Sequence, residues 1–224
     1  MEFNELKINT LFPDLSHTIS AELFSKYVYP WELLGELKDY IAEKGKTLSP
    51  EEYTEIAENV WVGKNVSVAP TATLNGPAII GSNTEIRPGA FLRGSIIVGE
   101  GCVIGNSTEL KNCIIFDSVQ VPHFNYVGDS VLGYKSHMGA GSVTSNVKSD
   151  KTLVSINVNG EKLETGRKKL GAILSNNVEV GCNSVLNPGT VIGANSNVYP
   201  LSSVRGYIPA NSIFKAGRGI TPKK

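Results

Sequence analysis

Cysteine and histidine are scarce in this chain of 224 residues, which contains three of each. The three cysteines form no CxxC pair and are odd in number, so the sequence predicts free thiols packed inside the protein (Cys102, Cys113 and Cys182). A catalytic zinc site needs three convergent ligands. Only His123 and His137 fall outside the N-terminal segment 1–55, so no metal is expected.

Excess charge and long apolar runs are also absent from the sequence. Lysine plus arginine equals aspartate plus glutamate at 21 each, which argues against a nucleic-acid or anionic-membrane partner. No apolar run approaches the roughly 18 residues that span a bilayer, and the N-terminus lacks the pattern of a secretory signal. These features predict a cytoplasmic protein without a membrane partner.

A strict six-residue repeat is the strongest positive signal. Nine consecutive sixth positions are aliphatic, and small or β-branched residues stand four places after most of them. This pattern is typical of a parallel β-helix, in which short strands stack in coils. The nine positions are Val62, Val68, Leu74, Ile80, Ile86, Leu92, Val98, Ile104 and Leu110.

A second, slower period accompanies the first. Gly63, Gly81 and Gly99 are spaced by 18, as are Pro70 and Pro88. Three hexapeptides per turn explain this spacing, because corner residues then recur once per coil. The sequence therefore predicts an all-β, three-sided coil stack.

Four segments follow from these patterns. Residues 1–55 have helical spacing, with Gly45 as a helix C-cap, and predict a small helical cap over the open end of the stack. Residues 56–210 form the β-helix. Within it, residues 147–172 interrupt the repeat, and Asn159-Gly160 between two extended runs predicts an inserted hairpin. Residues 211–224 are expected to be a C-terminal tail.

Arg93 and Lys111 are separated by one full coil and should lie one above the other. Adjacent strands are about 4.8 Å apart. Two cations at that distance repel by roughly 3 kcal/mol at an effective dielectric near 20. A phosphate bridging both would relieve the repulsion. The alternative is that the side chains extend into solvent or pair with Glu109 or Asp117.

His123 and the glycine-rich segment 139–146 are the remaining candidates for a site. By its neighbours alone, His123 could be a general base, a zinc ligand or a surface residue. Glycine and alanine at a coil corner permit the close approach of a thin ligand, although Gly139 and Gly141 fit equally well as turn residues.

Three segments together resemble a known family. Residues 109–112, 123–129 and 139–146, and the intervals between them, resemble the acetyltransferase domain of the bacterial bifunctional glucosamine-1-phosphate acetyltransferase/uridylyltransferase. The resemblance covers about residues 60–210 and extends to the C-terminal domain of archaeal-type sugar-1-phosphate nucleotidylyltransferases. It implies a left-handed β-helix, a homotrimer, and acetyl-CoA as the acetyl donor to an amino sugar.

The resemblance also implies residue roles. His123 matches the catalytic base and Glu109 the carboxylate that orients it. The substrate-binding positions correspond to Arg93, Lys111, Tyr126, His137 and Lys169, and the cofactor-binding positions to Ala140, Asn146 and Cys182.

Several departures from the family pattern keep alternatives open. His137 replaces an asparagine, Val147 replaces a tyrosine, and residues 147–172 have no counterpart in the bacterial enzyme. The segment 1–55 is too short for a nucleotidylyltransferase domain. We therefore expect an N-acetyltransferase for an amino-sugar phosphate or nucleotide-linked amino sugar, without nucleotidylyltransferase activity. The alternatives are a non-catalytic scaffold or regulatory partner of a separate sugar nucleotidylyltransferase, and an acyltransferase acting on a hydroxyl.

Overall fold

The computed structural model describes residues 3–223 and contains a three-sided stack of parallel coils. Each hexapeptide contributes a short strand to one side, and the sixth-position aliphatic side chains fill the interior. Ile80, Leu92 and Ile104 are completely buried. The predicted left-handed β-helix is confirmed.

The three sides are called face 1, face 2 and face 3, and each coil from Ser67 onward passes through them in that order. Face 1 contains Ser67–Val68, Glu85–Ile86, Val103–Asn106, Gln120–His123, His137–Met138, Glu179–Val180, Asn197–Val198, Ser212–Lys215 and the antiparallel Gly219–Pro222. Face 2 contains Thr73–Leu74, Phe91–Leu92, Val143–Thr144, Val185–Leu186 and Ser203–Val204. Face 3 contains the antiparallel Tyr53–Ala57, then Val60–Gly63, Ala78–Ile80, Ile96–Val98, Ala172–Leu174, Thr190–Ile192 and Tyr207–Ile208. Two longer strands, Glu109–Ile115 and Tyr126–Leu132, continue from face 2 into face 3.

The N-terminal segment is helical, as predicted. Its α-helices are Ile8–Leu11, Ala21–Phe24 and Leu37–Lys46, and its 3₁₀ helices are Asn4–Leu6 and Glu32–Gly35.

The position of this segment differs from the prediction, because it lies along face 3 and not over the open end of the stack. The helix Leu37–Lys46 packs on three successive face 3 strands. Farther along the stack, the Phe12 ring packs on Phe116, and the Ser175 hydroxyl donates to the Leu11 carbonyl. At the open end, the interior residue Val68 is 36% exposed.

An outward-facing column of apolar side chains explains this position. Side chains alternate across a strand, so the middle residue of each face 3 triplet points away from the interior. These residues are aligned from coil to coil and are completely or nearly buried, although they face outward: Trp61, Ile79, Ile97, Ile114, Val131, Ile173 and Val191. Exposing such a column to water would be unfavourable, and the N-terminal helices cover it.

Gly45 is not the helix C-cap that its position suggested. The helix continues to Lys46, and Thr47 is the C-cap residue. A Cβ atom at Gly45 would lie 2.2 Å from the Trp61 ring. Gly45 therefore permits the helix to approach face 3 closely.

The inserted hairpin is confirmed. Strands Ser155–Val158 and Glu161–Glu164 pair antiparallel, and Asn159 and Gly160 both have positive φ in the turn between them. The hairpin folds back on the stack. A Cβ atom at Gly189 would lie 2.8 Å from the Val154 side chain, and both Val154 and Ile156 are fully buried.

Two smaller predictions were wrong. The segment after residue 210 is not simply a tail, because Ser212–Lys215 adds a strand to face 1 and Gly219–Pro222 pairs with it. Cys102 and Cys113 are buried free thiols, but Cys182 is exposed because it lies at a coil corner.

Within residues 3–223, no helix is long and apolar enough to cross a membrane.

Candidate active site

Arg93 and Lys111 are stacked as their spacing predicted, at the corner where the chain leaves face 2. The preceding residues Leu92 and Leu110 are aligned in adjacent strands. Each cation, however, has its own carboxylate. Arg93 Nη1 lies 2.7 Å from Glu109 Oε1, and Lys111 Nζ lies 3.6 Å from Asp129 Oδ2. The pairing with Glu109 was one of the two alternatives, whereas Asp129 takes the place expected for Asp117.

Asp129 is the centre of this cluster, and sequence reasoning assigned it no role. Its carboxylate is 5% exposed. Asn112 Nδ2 donates to one carboxylate oxygen at 2.8 Å, and Asn146 Nδ2 donates to the other at 2.6 Å. Three donors, from the two coils on either side of Asp129, therefore converge on one buried carboxylate. The equal sequence spacing of Asn112, Asp129 and Asn146, about one coil at each step, is a signal that could have revealed it.

Tyr126 joins this cluster to face 2. Its hydroxyl accepts a hydrogen bond from Asn146 Nδ2 at 3.1 Å. Burial raises the pKa of Tyr126 above its ordinary value, and the charges of Asp129 and Glu109 raise it further. The phenol is therefore neutral near pH 7 and can act as a hydrogen-bond donor. Tyr126 and Glu109 are aligned in adjacent strands, so both lie on the outer surface of face 2.

His123 lies at the opposite edge of face 2, at the corner between faces 1 and 2. Its side chain is exposed, and in residues 3–223 its ring has no hydrogen-bond partner. Its backbone is well held: the amide donates to Asn125 Oδ1 at 3.0 Å, and the carbonyl accepts from the Gly141 amide at 3.0 Å. Glu109 binds Arg93 in this structure, so its role as the orienter of His123 stays a prediction. Phe124, which sequence reasoning did not single out, is 62% exposed beside His123.

A cleft of about 450 Å³ runs along face 1 and the same corner, beginning one coil beyond His123. Gly139 and Cys182 line it at the corner, with Val180, Tyr199 and Pro200 among its mostly apolar walls. His137 lies at its edge, where Nδ1 is 2.8 Å from Glu179 Oε2. His137 and Cys182 are therefore together, but they lie apart from the Asp129 cluster.

The remaining predicted residues are dispersed. Ala140 is half-buried next to the cleft residue Gly139, and its carbonyl accepts from the Asn183 amide. Asn146 uses its amide on Asp129 and Tyr126 and does not line the cleft. Lys169 is exposed at the end of the insertion. In the described part of the chain, no three His, Cys, Asp or Glu side chains are grouped to hold a metal ion.

Known sequences match this chain over part or most of its length. The profile of the GMPPB C-terminal domain matches residues 74–168. The bifunctional sugar-1-phosphate nucleotidylyltransferase/acetyltransferase of Sulfurisphaera tokodaii is 38% identical over 112 residues, which is 50% of this chain. The match spans only 28% of that relative's length.

Solved structures also resemble this chain over part of its length. A point mutant of perosamine N-acetyltransferase from Caulobacter crescentus, in complex with CoA and GDP-perosamine, is 15% identical with a TM-score of 0.44. The alignment covers 70% of this chain and 57% of that one.

A further relative matches most of both chains. The uncharacterized acetyltransferase YaiX of Escherichia coli K12 is 32% identical over 182 residues, which cover 81% of this chain and 79% of the relative. With the hexapeptide repeats and the coil stack, this similarity gives the family: the chain belongs to the hexapeptide-repeat acyltransferases of the left-handed β-helix fold.

Proposed function

We propose that this protein transfers an acetyl group from acetyl-CoA to the amine of an amino-sugar phosphate or a nucleotide-linked amino sugar. One observation carries the proposal. His123, an exposed histidine whose ring has no partner in the described residues, lies between a long apolar cleft and the stacked cations Arg93 and Lys111. Face 2 extends from the corner of His123 to the corner of the two cations.

The cleft suits the cofactor. A pantetheine arm is long, thin and largely apolar, and the cleft presents the mostly apolar walls of Val180, Tyr199 and Pro200 along several coils. Lys215 and Arg218 lie farther along the stack beside Tyr199 and provide positive charge for the cofactor phosphates. The thioester would then reach the corner near Ala140 and His123.

The acceptor would lie across face 2. For an amino-sugar phosphate, the phosphate binds near Arg93 and Lys111, while the sugar passes Glu109 and Tyr126 toward His123. Binding a phosphate here must compete with two existing ion pairs. The half-exposed Arg93–Glu109 pair is the easier one to rearrange, because water screens an exposed ion pair and weakens it.

The reaction needs one base. His123 accepts a proton from the amine while the amine nitrogen attacks the thioester carbonyl, forming the C–N bond. Collapse of the tetrahedral intermediate breaks the C–S bond, and the imidazolium returns the proton to the CoA thiolate. Family membership favours this enzymatic role over the non-catalytic scaffold. We also propose that the working form is a homotrimer.

The test is chromatographic detection of CoA release with a panel of amino-sugar phosphates and nucleotide-linked amino sugars. With the accepted substrate, His123→Ala should lower turnover by roughly 10²–10⁴-fold, the usual effect of removing a general base. Acetyl-CoA affinity should change little. His17→Ala is the matched control. His17 belongs to the N-terminal segment, where its ring stacks on that of Tyr134, away from face 2.

Two results would count against the proposal. An unchanged rate in His123→Ala would transfer the role of base to His137 or remove base catalysis from the account. A panel in which only hydroxyl sugars are acetylated would leave acyl transfer intact and reject the amine acceptor.

A further inference from the structure

A second cavity, of about 400 Å³, lies where the insertion leaves the stack, at the corner between faces 2 and 3. Ser145, Asn187 and Arg205 contribute to it from three successive coils. Residues 147–150, the first of the insertion, close its other side. Its volume lies in the range of ligand sites, and its lining is polar, unlike that of the cleft near His137.

This cavity lies on the same corner column as Arg93 and Lys111. The column consists of the residues that directly follow the face 2 strands, which the strand register aligns as Arg93, Lys111, Gly128, Ser145, Asn187 and Arg205. At about 4.8 Å per coil, Ser145 lies roughly 10 Å from Lys111 and Arg205 roughly 19 Å from it. The cavity is thus a continuation of the proposed acceptor edge.

The cations of the column differ in how their charge is balanced. Arg93 and Lys111 each have a carboxylate partner. Arg205 instead donates from Nη2 to the neutral amide oxygen of Asn187 at 3.3 Å, and no carboxylate of residues 3–223 lies within ion-pair distance of it. Its guanidinium therefore faces a half-enclosed polar cavity with its charge unbalanced.

The insertion adds further donors. Lys148 Nζ lies 3.4 Å from Asp150 Oδ2 and donates to Thr152 Oγ1, so its ammonium is held at the cavity wall. The cavity contains two cations and one carboxylate, which leaves an excess of positive charge. The hydroxyls of Ser145 and Ser149 have no hydrogen-bond partner in the described residues, which leaves them free to donate to a ligand.

We propose that this cavity binds the diphosphate group of an organic ligand. Arg205 is the principal residue that contacts it, and Lys148, Ser145 and Ser149 are supporting donors. A planar guanidinium with an unbalanced charge suits bidentate contact with phosphate oxygens. Because the cavity continues the acceptor edge, the preferred source is the diphosphate of a nucleotide-linked sugar. This choice of source rests on the proposed function. The 3′-phosphate or diphosphate of CoA is the other source with the same chemistry.

Direct binding tests the proposal without turnover. Titration calorimetry would measure the affinities of uridine, guanosine and thymidine diphosphates and of CoA for the full chain and for Arg205→Gln. We expect Arg205→Gln to weaken the best nucleoside diphosphate at least about tenfold, as for a lost hydrogen bond to a charged group, and to leave CoA unchanged. Arg87→Gln is the matched control, because Arg87 lies on the outer edge of face 1 in a pair with Glu85.

The outcomes are distinct. Loss of CoA affinity alone in Arg205→Gln would keep the phosphate site and assign it to the cofactor. Equal affinities of both ligands for Arg205→Gln and Arg87→Gln would overturn the site. Arg205-dependent diphosphate binding without acetylation of any acceptor would keep the site and reject the proposed function.

Discussion

Asp129 is the single residue that connects most of the proposed acceptor site. Replacing it with alanine leaves the Lys111 ammonium without its carboxylate and two amides, those of Asn112 and Asn146, without their acceptor. Groups deprived of a partner in a buried site each cost on the order of 1–3 kcal/mol. Because Lys111, Asn112 and Asn146 are only half-buried, water can replace part of the lost contacts, and we expect Asp129→Ala to lower the free energy of unfolding by about 2–3 kcal/mol.

Urea denaturation at a fixed protein concentration measures this loss. The control is Asp39→Ala, which removes an exposed carboxylate from the helix Leu37–Lys46 and should change stability by no more than about 0.5 kcal/mol. Equal stabilities of the two variants would show that the Asp129 contacts contribute no net stability.

The three thiols should differ sharply in reactivity. Burial raises the pKa of Cys102 to about 12 and also raises that of Cys113, and both side chains are enclosed. Cys182 is exposed in the cleft. A disulfide reagent at pH 8 should therefore label one thiol in the native protein and three after unfolding, because the thiolate is the reactive form.

The same reaction probes the cofactor site. CoA carries a thiol that would itself consume the reagent, so the protecting ligand should be desulfo-CoA, which lacks that thiol. Slower labelling of Cys182 in its presence is expected if the cofactor occupies the cleft. Labelling at an unchanged rate would place the cofactor elsewhere.

At the residue level, the sequence predicted positions better than partners. The one-coil spacing of Arg93 and Lys111 correctly gave their stacking. The partner of Lys111 was missed although Asp129 follows it by 18 residues, the regular coil length. The actual coil is one residue shorter, so Gly128 stacks on Lys111 and the next residue, Asp129, reaches the ammonium.

At the level of elements, face 3 is a strand surface buried on both sides. Val131 points outward from it and is fully buried by the N-terminal segment. Val103 points outward from face 1, which no helix of the described residues covers, and is only half-buried. Val131→Ala should therefore cost about 2 kcal/mol, the transfer free energy of two methylene-sized groups plus a cavity.

Thermal or urea denaturation of Val131→Ala and Val103→Ala makes a matched comparison, since the substitution is identical. Val103→Ala should cost less than half as much. A reversed order would mean that the N-terminal helices do not bury face 3 in solution.

The sequence predicts the N-terminal helices, and it also contains a signal for the surface that they cover. Spacing shows that a helix has an apolar side but not what that side contacts. The signal was in the strands: three consecutive apolar residues at 78–80, 96–98 and 113–115 indicate strands covered on both surfaces. The prediction of a cap at the open end rested instead on the exposed backbone and core of a terminal coil.

At the scale of the whole molecule, the covered face restricts assembly. Because the chain's own helices occupy face 3, a trimer cannot form through the strands of that face and must use face 1, face 2, the corners or the outer side of the helices. Light scattering should give a mass three times the 24.0 kDa of the chain at micromolar concentration. A mass of one chain would contradict the proposed trimer, and it would require each site to be complete within one subunit.

The N-terminal segment along face 3 also changes how the molecule should unfold. A solenoid in which each coil contacts only its neighbours can lose coils from one end. Here residues 3–48 contact several coils, from the strand Ala78–Ile80 to Ser175, and the Leu11–Ser175 hydrogen bond joins positions far apart in the chain. During synthesis this bond cannot form until most of the chain has left the ribosome. The segment thereby links separate coils into one cooperative unit, in which the earliest part of the chain to be made completes its contacts only after the later coils have been made.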